Sequence, residues 1–134
     1  MRFCAAIMLA ALAALPAAAQ NFSSDSKRFG NSKMDIVITE SERNAKTSVL
    51  DIHIKTVGTS VGASFFIVCS LRDLALQRGK HRYIVKVDEQ PRPGQMLVGF
   101  LSSAEDAPEK LDARFAGQPV VDLTQFAPIC DKMK

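Results

Sequence analysis

The chain has 134 residues, 47% of them hydrophobic and 23% charged, with a formal net charge of +3. That length suits one domain, and the composition is ordinary for a globular protein. A positive balance this mild gives no case for a nucleic-acid partner.

Residues 1–19 read as a secretory leader. Arg2 supplies the positive start, Ile7 to Leu15 the short apolar run, Pro16 the break, and Ala17-Ala18-Ala19 the small residues of a cleavage site. The run is short for a membrane span of ~20 residues, which weighs against an uncleaved anchor. Cleavage after Ala19 leaves a chain beginning at Gln20, without Cys4. Cys4 precedes the apolar run, so it is not placed as a lipidation cysteine. The expected location is periplasmic or secreted.

Residues 20–33 are rich in serine, asparagine and charge, with isolated Phe22 and Phe29. They are expected to form a flexible arm, and 34–134 a single α+β domain. Met34 to Thr39 is short, apolar and β-branched, the pattern of a strand. Glu40 to Thr47 is polar and predicts a loop. From Ser48 to Val57 the chain alternates: Leu50, Ile52 and Ile54 on one face, Asp51, His53 and Lys55 on the other.

Ser60 to Gly79 predicts the main helix. Thr59 or Ser60 can cap it, and Gly79 supplies a left-handed end with Arg78 near the negative pole. Spaced at 100° per residue, Ser70, Asp73 and Gln77 make a polar stripe. Phe65, Val68, Cys69, Leu71, Ala75 and Leu76 cover the opposite surface. A stripe that wide predicts contact on two sides, with a sheet below and another element beside.

Arg82 to Asp88 and Met96 to Leu101 predict two strands joined by a stiff turn at Pro91, Pro93 and Gly94. Gly99 would weaken its strand unless something packs closely over it. A short helix is expected near 106–116, with Leu111 and Phe115 four apart. Val120-Val121 follow as a brief strand, then a helical turn over 122–127 that Pro128 ends. The order β–β–α–β–β–α argues an α+β fold with a largely antiparallel sheet and the main helix on one face.

Without the leader two cysteines remain, Cys69 and Cys130. An even pair in an exported chain predicts one disulfide, with two buried thiols as the alternative. The closed loop is long, and its closure entropy is on the order of 4 kcal/mol.

Arg72-Asp73-Leu74-Ala75-Leu76-Gln77-Arg78-Gly79, followed by Tyr83-Ile84-Val85, resembles a pattern in small envelope proteins and lipoproteins of bacteria. There an arginine on an apolar helix precedes a glycine and then a strand opening with an aromatic. The resemblance spans about 25 residues and implies a periplasmic module without implying an activity. This chain lacks the lipidation cysteine of the lipoprotein members.

Arg72 falls among Phe65, Val68 and Leu76. It can lay its methylenes on apolar surface, hold a structural ion pair or backbone carbonyls, or bind an anion. Asp51 and His53 share a strand face, where they could begin an acid–base or metal site or simply face water. Arg78, Lys80, His81, Arg82, Lys86 and Arg92 form a basic cluster that could be solvated surface or meet an acidic partner, such as an envelope protein or an anionic envelope polymer. No nucleophile motif, phosphate loop or metal-ligand spacing is present, and no cofactor is implied. The expected function is a non-enzymatic interaction or structural module of the envelope. The alternative is a small enzyme or an anion-binding protein with a pocket near Arg72.

Overall fold

The computed structural model describes residues 21–29 and 33–133; the expected leader lies outside the described residues. Six strands form one sheet: β1 (Ser23–Asp25), β2 (Asp35–Arg43), β3 (Thr47–Thr56), β4 (Tyr83–Asp88), β5 (Gln95–Leu101) and β6 (Val121–Asp122). Their spatial order is β1-β2-β3-β5-β4-β6, and every neighbouring pair is antiparallel. Helix α1 (Ser60–Gly79) links β3 to β4, and a short α2 (Ala127–Lys132) lies near the C-terminus. The fold is α+β, as the strand and helix pattern requires.

β3 and β4 run parallel, with β5 inserted between them, so α1 is the crossover of a split β–α–β unit. The apolar side of α1 covers one face of the sheet. Phe66, Leu71, Leu74 and Ala75 pack there with Ile36, Ile38, Leu50, Ile84, Met96, Val98 and Phe100. A second cluster fills the opposite face, where Val49, Val85, Leu97 and Leu101 meet Phe115. β5 is thus buried on both faces, which is why its sequence is a continuous apolar run rather than an alternation. Gly99 makes room for the second lid: a Cβ there would stand 2.8 Å from Phe115 Cε2 and 3.0 Å from Leu111 Cδ1.

By length and composition alone α1 could cross a membrane, with a mean hydropathy of 1.2. In this fold its apolar side packs against the sheet. Thr59 caps it, its Oγ1 accepting from Gly62 N at 3.0 Å. At the other end Gly79 takes a positive φ of 139°, as expected, and Lys80 after it is also left-handed (φ 57°). Lys80 N donates to Leu76 O and His81 N to Ala75 O, which closes the helix end on two carbonyls.

Four expectations are corrected. The segment 20–33 contains β1, paired with β2 from Ser23↔Thr39 to Asp25↔Val37, and Phe22 is buried. The predicted loop 40–47 is mostly strand. β2 runs to Arg43, a bulge between Glu40 and Glu42 shifts its register, and the turn shrinks to residues 44–46. The helix expected at 106–116 is two separate 3-10 turns, Pro108–Lys110 and Ala113–Phe115. Asp112 is extended between them and caps Arg114 N with its own carboxylate, which interrupts a helix. Pro128 opens α2 rather than ending the turn before it.

The rotation of α1 also differs from the expected one. Ser70, assigned to the polar stripe, is buried because its hydroxyl shares a 2.8 Å hydrogen bond with that of Ser24 on β1. Leu76, assigned to the buried face, is exposed.

Candidate functional site

Cys69 and Cys130 form a disulfide that ties the middle of α1 to α2 across a sequence separation of 61 residues. Met133 Sδ lies 3.7 Å from Cys69 Sγ and helps to cover it. Arg72, one turn along α1, donates from Nη1 to Asp131 Oδ1 at 3.2 Å. The Arg72 side chain is 19% exposed and that of Asp131 62%, so the pair sits at the edge of the staple. Of the three uses open to Arg72 in the sequence, the structure places it in an ion pair joining the two helices.

The inward arginine is Arg78. Its side chain is only 7% exposed, which corrects its assignment to a basic surface. Its guanidinium crosses from the end of α1 to the β2–β3 turn. Nη2 donates to Ala45 O at 3.1 Å and to Asn44 O; Nη1 donates to Thr47 O at 3.4 Å and Ser48 Oγ at 3.2 Å. Its carbon centre stands 5.0 Å over the Phe100 ring. The turn carbonyls need a donor and the chain supplies one from 31 to 34 residues away, so no local pattern announces it.

Beneath it lies Glu40, whose side chain has no solvent exposure. Its carboxylate accepts from Arg43 Nε at 2.8 Å, Ser48 Oγ at 2.5 Å and Phe22 N at 3.3 Å, with Arg78 Nη1 at 3.7 Å. Burial pushes its pKa upward, but the Arg43 and Ser48 hydrogen bonds and the Phe22 amide outweigh that, so it rests below the usual value. Burial and the Arg43 charge lower Arg78, against the pull of Glu40. Sequence reading missed Glu40 because it sits in a polar stretch that looks like a turn.

The other basic residues disperse. His81 stacks on Phe100 with ring centres 5.0 Å apart. Arg82 makes a two-pronged pair with Asp122 at 3.1 and 3.0 Å, which raises the arginine and holds the Asp122 carboxyl well below the carboxylate range. Lys86 pairs with Asp88 at 3.0 Å. Lys80 and Arg92 are exposed. Asp51 and His53 do share one face of β3. His53 is exposed, and Asp51 accepts from Gln95 Nε2 at 2.7 Å. Among the described residues no group of three or more His, Cys, Asp or Glu side chains converges as metal ligands would.

Two of the concavities among the described residues are lined by members of the expected basic cluster, Lys86 in the first and His81 in the second. The first is an open groove of about 410 Å³ under the N-terminal half of α1. Ile52, Ile54, Ile67, Val68 and Met96 give it apolar walls, and Lys86, Asp88, Glu89 and Gln95 a polar rim. Ile54 is 50% exposed there, although it continues the alternation that buries Leu50. The second lies on the loops after β5, lined by Lys46, His81, Ser102, Glu105, Asp106 and Lys110. Arg72 lines neither.

No family model, curated protein or solved structure matches this chain. The sequence signal for the first groove was Ile54, which continues the apolar alternation of β3 yet lines the groove half-exposed.

Proposed function

We propose that this chain is an exported module of the bacterial envelope, periplasmic or secreted, that works by binding a partner rather than by catalysing a reaction. The observation that carries the reading is the Cys69–Cys130 bond between two helices. Such a bond persists in an oxidising compartment and is rare where thiols are kept reduced. The leader pattern of residues 1–19 supplies a route to that compartment. The buried charges add support: Glu40, Arg43 and Arg78 hold β2, the β2–β3 turn and α1 together. The open groove offers a surface to a partner.

Fractionation of a bacterial host expressing the full chain tests this. The expected product is in the periplasm, begins at Gln20 and has the mass of the oxidised form. A cytosolic product with free thiols would overturn it.

A second reading, binding of a small anion, has one observation in its favour: Lys46, His81 and Lys110 line the same loop groove, against the carboxylates of Glu105 and Asp106. Inorganic phosphate titrated at low salt would then shift the His81 resonances. Unmoved resonances would remove this reading.

A further inference from the structure

Two unfinished features meet at one place. β6 pairs with β4 only at Tyr83 and Ile84. Pro119, two residues before β6, has no N–H to extend that ladder. Leu123 N donates to Arg82 O at 2.9 Å on this side of β4. In an antiparallel strand alternate residues turn their backbone groups the same way, so Arg82, Ile84, Lys86 and Asp88 face away from β5. Among the described residues no strand pairs with β4 at Lys86 or Asp88 on that side. The side chains of the same two residues line the apolar groove.

The edge offers hydrogen bonds to an extended backbone, and the groove beside it offers burial to an alternate side chain. Strand-addition sites combine these two elements: main-chain bonds give affinity, and pockets for every second side chain give specificity. A volume near 410 Å³ is within the range of binding pockets. The rim sets the charge of the occupant. It carries Asp88 and Glu89 against Lys86, which is already paired with Asp88 at 3.0 Å. A second copy of this chain would bring the same carboxylates face to face, which disfavours edge-to-edge pairing.

We propose that the β4 edge and the groove beneath α1 dock an extended peptide segment of a partner protein, laid beside β4 in line with β6. It places an apolar side chain in the groove and a basic side chain against Asp88 and Glu89. This names the partner chemistry for the binding role proposed above and rests on that reading for its setting.

The test uses the purified, oxidised protein and an acetylated, amidated peptide, Lys-Thr-Leu-Thr-Leu-Thr-Lys, followed by amide NMR and hydrogen exchange. The expected result is slowed exchange at the Lys86 and Asp88 amides. Methylating the peptide nitrogens that face β4 should weaken binding about tenfold or more, the ratio that two lost backbone hydrogen bonds support. Ser64→Trp, at an exposed position over the groove, should weaken it comparably while leaving the unfolding midpoint unchanged. No binding at millimolar peptide, binding indifferent to methylation and to Ser64→Trp, or self-association that protects the same amides without peptide would each overturn the proposal. Such a failure leaves the exported, disulfide-closed module standing, because that reading is tested by leader processing and oxidation state.

Discussion

Glu40→Ala removes the acceptor around which three segments are gathered. The carboxylate has no exposure and takes hydrogen bonds from the Phe22 amide, Arg43 and Ser48, with Arg78 at 3.7 Å. Removing one member of a buried ion pair costs about 3–5 kcal/mol, because the remaining charge is stranded. Here Arg78 keeps its bonds to the turn carbonyls and to Ser48, so the lower end applies, about 3 kcal/mol. Urea unfolding at pH 7 with the disulfide intact measures it. Glu40→Gln isolates the charge and gives a second, signed result. The folded pKa of Glu40 lies below 4.5, so the unfolded chain takes up the proton first. Its contribution is therefore complete above about pH 4.5 and fades as pH falls toward the folded value. The stability gap between the wild type and Glu40→Gln should narrow on acidification. A loss below about 1 kcal/mol for Glu40→Ala, or a gap that widens in acid, would refute the claim that this carboxylate is ionised and holds the segments together.

Replacing both Cys69 and Cys130 by alanine should cost about 4 kcal/mol and raise the urea m-value, since the unfolded chain loses a long crosslink and expands; an unchanged m-value would contradict that account. Gly99→Ala should cost about 1–3 kcal/mol by driving a methyl into Phe115 and Leu111, measured as a lowered unfolding midpoint. Arg72→Met should cost less than about 1 kcal/mol, because its partner Asp131 is largely in water; a larger loss would show that the pair is anchoring α2.

Several parts of this fold were legible because they follow from local chemistry. The helix bounds 60 to 79 follow from an N-cap threonine, a continuous apolar stretch and a terminal glycine. The two-sided covering of α1 followed from the width of its apolar surface, and the staple from the pair Cys69 and Cys130. What stayed hidden depends on partners far away in sequence. Ser70 looks like a solvent residue until Ser24 arrives from β1 to share its hydrogen bond. Arg78 looks like a helix-end cation until the β2–β3 turn presents its carbonyls. The same holds for the site: Asp51 and His53 were visible as a pair on β3, but the groove needed β3, β4, β5 and α1 in place before it existed.

The staple and the groove are connected through the length of α1. Cys69 stands near the middle of that helix, so the disulfide holds α2 beside its C-terminal half, where Leu123 also enters the core. The N-terminal half packs Phe66 against Phe29, while Ser64, which lines the groove, is exposed. β6 stops after two residues at the same side of the sheet, with Pro119 preventing its extension. The groove and the short β6 edge therefore lie together, since Lys86 and Asp88, beyond the end of that pairing on β4, line the groove.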